Sequence, residues 1–494
     1  MPSRPEPPFV LAIDIGSSSI RAALYDSSAR PVSGMSAVQR NWQDTGADGK
    51  NEESPERIAN AVEKAVDAVL ATAGDMARHI VAVGLDSMAS TVMGLDENGV
   101  PLTPVYTYAD TRSASDVDQL KRELDVDAVH DRTGTVQHTS YVPGRIRWLR
   151  RTRPQLAAKV RGWTDVPTWL YSRWFGRTDI PASYSLASWS GMLNRRELRW
   201  DAGLLEALEL DQTDLPPLAP YVDGITGLSG EYAKRWPALR DVPFFLGVGD
   251  GAAVNVGAGC VSPDRVALTI GTTGAMRVLF DDSAPALPEG LWGYRLGRER
   301  TLVGGAFSEG GNVLAWAESA LDIPPLAQLG RELARLKPDG HGLTVLPFLA
   351  GERAVGWSTD ATGNVLGLRV STKPVEIVQA FMESICYRFA LVADLLLPAG
   401  HETQIVASGG ALLASEWWMQ TMANVLQAPV STTTDEQDTS RGTAILALHA
   451  LGEWKSLDEV PTEIDRTYQP DGSVADLYRS ARERQLDLYD RLFG

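Results

Sequence analysis

Five apolar residues in a row, Phe9-Val10-Leu11-Ala12-Ile13, form a β-type run near the start of the chain, and Ala22-Ala23-Leu24-Tyr25 predicts its return strand. A helical pattern follows. Ile58, Val62, Val66 and Val69 recur on one face, Ser54 suits the N-cap, Pro55 suits the first turn and Gly74 ends the helix. His79-Ile80-Val81-Ala82-Val83-Gly84 then reads as a buried strand, and strands alternating with helices predict an α/β architecture. Further strand runs appear at Val242–Leu246, Arg265–Ile270 and Gln404–Ala407, while Val474–Phe493 reads as a charged helix with a narrow apolar face. The Pro-rich stretch Leu215–Pro220 reads as a surface loop.

One local pattern occurs twice. Ile15-Gly16-Ser17-Ser18-Ser19 and Ile270-Gly271-Thr272-Thr273-Gly274 lie about half the chain apart, each between two β-runs. Two related halves, each opening with a β-hairpin, are the economical reading. The boundary falls just before Gly247, giving parts 9–246 and 247–494 after a polar, Pro-broken tail at 1–8, read as disordered.

Composition narrows the possible partners. In 494 residues, 46 Lys and Arg face 63 Asp and Glu, a net charge of −17, which disfavours nucleic acid and anionic membranes. The hydrophobic share of 44 % supports a sizeable core. Cys260 and Cys386 are the only cysteines, so neither a disulfide scaffold nor a Cys-rich metal site is expected. No apolar stretch approaches the roughly 18 residues of a membrane span, and the tail has no signal core. A cytoplasmic protein is expected.

The first turn, Asp14-Ile15-Gly16-Ser17-Ser18-Ser19, combines a glycine that permits close approach with amides and hydroxyls able to wrap phosphate oxygens. An acid at a strand end can hold Mg²⁺, and Arg21 adds a cation. The same residues also suit a plain hairpin turn, but Gly271-Thr272-Thr273-Gly274 repeats the chemistry. Gly247-Val248-Gly249-Asp250-Gly251-Ala252 fits a dinucleotide fingerprint in outline, yet Asp250 would put a carboxylate where pyrophosphate belongs, and no ribose-binding acid follows the next strand. Asp250 reads better as a general base in a turn of small residues, or as a helix N-cap. Ser408-Gly409-Gly410-Ala411 after a strand suits a backbone approach to a nucleotide or a tight turn. No G-x-x-x-x-G-K-[ST] or H-E-x-x-H motif occurs, and Ala306-Phe307-Ser308-Glu309-Gly310 misses the hydrolase nucleophile elbow by its first glycine.

Taken in order, these segments resemble the FGGY carbohydrate kinases, of the actin, sugar-kinase and chaperone ATPase superfamily. Ile13–Arg21 resembles the first phosphate motif, Gly249–Ala252 the segment with the catalytic aspartate, and Thr269–Gly274 the second phosphate motif. Ala407–Gly410 resembles the adenosine turn, and Gly363–Leu368 with Ala380–Glu383 the C-terminal signature, with a bulkier Phe381. Pro101–Pro104, Ala109-Asp110-Thr111-Arg112, Ser185–Ser188 and Leu346–Ala354 are most similar to gluconokinases, then to xylulokinases. Tyr108 replaces a usual Trp, and Ser87-Met88-Ala89-Ser90 lacks the Met-His that many gluconokinases and xylulokinases carry.

The resemblance implies two actin-like (ribonuclease H-like) domains around a cleft where MgATP and a sugar meet, the first binding sugar and the second nucleotide. By the same resemblance Asp250 would be the base, and Asp14 and Asp250 would hold Mg²⁺. Gly16, Ser17, Ser18, Arg21, Gly271, Thr272, Thr273, Gly310 and Gly311 would contact phosphates, and Gly409 and Gly410 the nucleoside. Ser87, Met88, Asp110 and Arg112 would contact sugar, with Arg112 facing a gluconate carboxylate or else only paired with Asp110. Gluconate is the first expectation for substrate and another FGGY sugar or polyol the second. A homodimer is common in the family. Two other classes stay open at this point, a non-catalytic nucleotide or sugar sensor and a nicotinamide oxidoreductase. Trp163, Trp169 and Trp174 suit core packing better than sugar stacking.

Overall fold

Side chains along β1 (Phe9–Ile15) alternate between two buried faces, as a strand covered on both sides requires. Phe9, Leu11, Ile13 and Ile15 enter a core shared with helix α1 (Pro55–Ala73), whereas Val10 and Ala12 belong to a second core. Helix α1 forms as its spacing predicts: Ser54 Oγ accepts the Arg57 amide at 3.4 Å, and Ile58, Val62, Val66 and Val69 are buried. The structure is a computed structural model that describes residues 6–358, 360–397, 403–433, 438–459 and 462–493. The first five residues of the tail expected at 1–8 lie outside the described residues.

β1 returns through a tight turn as antiparallel β2 (Ser19–Tyr25), which pairs with β3 (Pro31–Arg40). On its other edge β1 pairs in parallel with β4 (Ile80–Ser87), followed by β5 (Phe244–Phe245). β6 (Val248–Gly249) also joins β4, so the first sheet runs on past residue 246 before helix α2 (Asp250–Gly257) begins.

The second sheet repeats this order. β7 (Arg265–Ile270) turns into antiparallel β8 (Gly274–Phe280); on the other side of β8 lies β10 (Thr301–Phe307), and β9 (Trp292–Arg295) pairs with β10 at the edge. Helices α3 (Gly311–Ala320) and α4 (Pro374–Leu396) follow. β11 (Gln404–Ser408) then pairs in parallel with β7, β12 (Val430–Thr433) with β11, and β13 (Ile464–Tyr468) closes the edge. In each sheet an antiparallel hairpin is extended in parallel from its first strand, which is the topological form of the sequence repeat.

Helix α5 (Asp438–Leu451) comes late in the chain yet lies on the first sheet, over the small side chains of Ala12, Ala23 and Ala82. A Cβ on Gly84 would stand 2.8 Å from the Thr443 carbonyl oxygen. Helix α5 also crosses α2 with no side chain between them: a Cβ on Gly257 would lie 1.7 Å from Asp438 O, and one on Gly442 1.8 Å from Ala253 O. The crossing holds the two domains together beside the cleft. Trp163, Trp169 and Trp174 are core residues, as expected. On α4, Glu383 accepts from Gln379 (2.9 Å) and His341 Nε2 (3.1 Å). The Leu343 amide donates to His341 Nδ1, so both ring nitrogens are engaged in this structural hub. Helix α6 (Ala475–Phe493) buries only Tyr478, Ala481 and Gln485, a narrow face as expected. Among the described residues no helix is long and apolar enough to cross a membrane.

Candidate active site

Three spaces open in sequence along the cleft. An inner cavity of about 130 Å³ is lined by Asp250, Arg277, Arg353, Tyr108 and a cluster of aromatic rings. A crevice of about 180 Å³ is walled by Asp14, Arg21, Ser408, Gly409 and Ser440. An outer groove of about 910 Å³ runs past Gly311, Gly410, Ala411 and Trp417. Thr269 lines both cavity and crevice, and the adjacent residues Gly409 and Gly410 face crevice and groove. Acceptor, phosphates and nucleoside could therefore lie in one continuous line.

The two hairpin turns frame the crevice. The Gly16 amide donates to Ser19 O at 3.0 Å, and the Asn41 side chain holds Gly16 O (3.0 Å) and Glu53 (2.9 Å). In the second turn, Gly271 O receives the Gly311 amide at 2.7 Å and Thr272 O the Asn312 amide at 3.1 Å, docking the start of α3. Gly310 lies against the Thr273 backbone, where a Cβ would stand 2.8 Å from its carbonyl carbon. Gly409 has φ = 92° and a Cβ there would stand 2.4 Å from Ile270 O, so only glycine lets β11 turn against β7.

Three carboxylates converge where the spaces meet. Asp14 and Asp86 are register partners at the ends of β1 and β4, and Asp250 opens α2. Burial pushes the Asp14 carboxyl up, against the pull of Arg21. Burial and then the neighbouring Asp14 push Asp86 well above the carboxylate range; its Oδ2 accepts Thr443 Oγ1 at 2.5 Å while Oδ1 is buried without a donor. Burial raises Asp250 to about 6, opposed first by the Arg277 charge and then by the Gly251 amide, 2.7 Å away. Asp250 thus stands inside the first turn of α2, with Gly249 as the cap residue.

Glycines 249 and 251 serve a tryptophan rather than a pyrophosphate. A Cβ at Gly249 would lie 2.7 Å from Trp189 Nε1, and one at Gly251 2.6 Å from Trp189 Cη2. The indole fills the space a dinucleotide would need, which removes the oxidoreductase alternative. Trp189 stacks on Tyr294 with centroids 3.9 Å apart, and Tyr294 on Trp292 at 4.2 Å, making a flat aromatic wall.

The four residues expected at the sugar lie elsewhere. Ser87 is buried and donates to Met88 O, and Met88 packs into the α1 core; the next two residues, Ala89 and Ser90, reach the cavity instead. Asp110 is consumed by Arg112 (Nε at 3.0 Å) and the Asn51 amide (3.1 Å). Arg112 also binds Glu52 at 2.6 Å and stacks on Trp148 at 4.4 Å, so its Nε and Nη2 are engaged within the protein. Neither lines the cavity; Tyr108, two residues earlier, does. Asp14, Arg21, Asp250, Thr273, Gly311, Gly409 and Gly410 do face the cleft spaces, and Gly16–Ser18, Gly271, Thr272 and Gly310 build the turns around them.

Sequence reading missed Asp86, Arg277, Arg353 and Trp189. Asp86 carried a usable signal, an acid closing a buried strand as Asp14 does. Arg277 follows the second turn much as Arg21 follows the first.

Comparison with known proteins agrees with this geometry. Residues 9–257 match the N-terminal domain, and residues 266–451 the C-terminal domain, of the FGGY family of carbohydrate kinases. A gluconokinase of Bacillus subtilis (strain 168) is 30 % identical over 474 residues, covering 93 % of this chain and 91 % of the relative. A glycerol kinase of Allorhizobium ampelinum is 28 % identical, covering 91 % and 92 %. Crystal structures of a ligand-bound xylulose kinase and a gluconate kinase from Lactobacillus acidophilus each superpose with TM-score 0.88 at 25 % identity, covering 98 % of both chains. The chain therefore belongs to the FGGY family of carbohydrate kinases and is an ATP-dependent sugar kinase.

Proposed function

We propose that this chain transfers the γ-phosphoryl group of ATP to the terminal hydroxyl of gluconate, giving 6-phosphogluconate, with Asp250 as general base. The observation that carries this reading is the placement of Asp250 on the wall of a cavity that opens, at Thr269, into a crevice framed by two glycine-hydroxyl turns. The nucleoside would lie in the outer groove against Gly410 and Gly311, with its phosphates between the turns. The Asp250 carboxylate accepts the hydroxyl proton while that oxygen forms a bond to the γ-phosphorus, the bond to the β-phosphate oxygen breaks, and ADP leaves. The aromatic wall keeps water from competing.

Asp14 and Asp86 fit a divalent cation: two adjacent carboxyls, each pushed up by burial, one with a buried oxygen lacking a hydrogen-bond donor. Bound there, Mg²⁺ would screen the phosphate charges. Asp250 would remain the base. Asp86→Asn tests this assignment. A carboxyl whose pKa is raised by folding weakens the fold at pH above its unfolded value, near 3.9. The amide keeps an oxygen for Thr443 and sheds the charge, so the melting temperature at pH 7.5 should hold or rise while turnover falls at least tenfold. A loss of several degrees would show Asp86 to be structural.

An acid substrate is favoured by the cavity's charge, two guanidiniums against one carboxylate. Arg353, bound to Phe307 O at 2.5 Å and facing the Tyr108 ring, replaces Arg112 as the partner for a sugar carboxylate. ADP release should be measured with MgATP and gluconate, xylulose, ribulose or glycerol. Gluconate should turn over fastest, and Arg353→Met should raise its KM roughly 10- to 100-fold, the worth of a charge-assisted hydrogen bond. Fast turnover of a ketopentose, with Arg353→Met silent, would reassign the chain to that sugar.

A further inference from the structure

We propose that Arg277 is a second catalytic group, which donates hydrogen bonds to the phosphoryl group during its transfer. The inference rests on the acceptor–phosphate order proposed above. Arg277 lies on β8, opposite Ala267 of β7, and its guanidinium lines the inner cavity. Its Nη1 donates to Thr269 Oγ1 at 3.4 Å, the residue that walls both cavity and crevice. A Cβ on Gly251 would stand 3.3 Å from its Nε, so the same guanidinium rests against the turn that carries Asp250. Arg277 thus spans the passage between base and phosphate crevice.

The guanidinium is also under-used. Nε is buried without a hydrogen-bond partner, and among the described residues no carboxylate lies within ion-pair distance of it. Burial and the nearby Arg353 both work against its charge, and Asp250 is the nearest compensation. A buried cation without an anion is costly, and proteins seldom keep one unless a ligand supplies the partner. The position selects the anion. A substrate carboxylate would lie at the far end of the sugar from the reacting hydroxyl, whereas the transferring group must pass between Asp250 and Thr269. As the bond to the acceptor oxygen forms and the bond to ADP breaks, charge spreads over three phosphoryl oxygens, and the guanidinium, whose hydrogen bond to the described residues is the long one from Nη1 to Thr269, can donate to them.

The test uses the full chain with Arg277→Lys and Arg277→Met, and the best acceptor of the wild type. The Met variant should lose roughly 100-fold in kcat, the usual worth of one such donor. KM for both substrates should stay within about threefold, and the Lys variant should fall between. Affinity for MgADP with aluminium fluoride and the acceptor, a mimic of the phosphoryl in flight, should drop in parallel, while affinity for MgADP alone stays and reports an intact fold. Guanidinium ion added to Arg277→Ala should restore part of the turnover. Unchanged kcat with a raised KM for gluconate would make Arg277 the carboxylate anchor and overturn the proposal. Equal loss of MgADP affinity in every variant would make it structural, with the same consequence. A wild type silent on every acceptor would overturn the functional reading and this proposal together, so the two failures are distinct.

Discussion

Asp250→Asn should lower kcat on the order of 10³-fold, within the range for loss of a positioned base, while leaving ADP affinity within about twofold. Among the described residues Asp250 is the one acid lining the inner cavity, so no neighbour can take the proton in its place. The amide is nearly isosteric and keeps an oxygen for the Gly251 N–H, so the start of α2 should survive. The pH profile gives an independent reading. On the proposed mechanism the base works as the carboxylate, and burial lifts the Asp250 carboxyl to about 6. Turnover should therefore rise tenfold per pH step below about 6 and level off above it. The variant's residual rate should lack this limb. A variant that keeps even a tenth of wild-type kcat, or a wild-type limb below pH 4.5, would remove Asp250 from the proton transfer.

Gly257→Ala should be strongly destabilising. The new Cβ would stand 1.7 Å from Asp438 O and 2.9 Å from the Gly442 nitrogen, backbone atoms that no rotamer change can move aside. Helices α2 and α5 would have to part along their crossing, and with them the two sheets. We expect a loss of about 3 kcal/mol, at the upper end for overpacking, seen as a fall in thermal midpoint. Gly330→Ala is the matched control. It lies within the helix Leu326–Leu333 with no atom within 4 Å of the added Cβ, and should be stabilising by roughly 0.5–1 kcal/mol. Equal effects from the two substitutions would show that the crossing can relax.

Much of the scaffold was legible because it is local. Ser54 and Pro55 announce α1, and the glycine-hydroxyl turns announce both hairpins, since each signal is complete within a few residues. Asp250 stands out for the same reason, as an acid in a turn of small residues. The inner cavity was not legible, because its walls come from separate stretches: Ala89 and Ser90, Tyr108, Trp189, Tyr294 and Arg353 meet only in the folded chain. Asp110 and Arg112 do not line the inner cavity; a motif records residue types, whereas the contact of Arg112 with Glu52 comes from a different strand. Asp86 carries a weaker signal than Asp14, because it ends an apolar run without a glycine turn after it; its partner Thr443 lies on α5. The pattern Gly247–Ala252 argues against a dinucleotide site already in the sequence, and the structure supplies another need for its glycines: Gly249 and Gly251 make room for the indole of Trp189, and Gly247 for Pro167.

The placement of α5 has a consequence for how the protein is made. The face of the first sheet formed by Val10, Ala12, Ala23 and Ala82 is covered by a helix that begins at residue 438. The strand β4, which completes that face, ends at residue 87, about 350 residues earlier. At roughly 5–20 residues per second, a ribosome needs some 20 to 70 seconds to deliver the cover. Throughout that interval an apolar sheet stands open on the nascent chain, a natural client for a chaperone. A fragment ending at residue 246 would lack that cover altogether and should bind an apolar dye more strongly than the full chain.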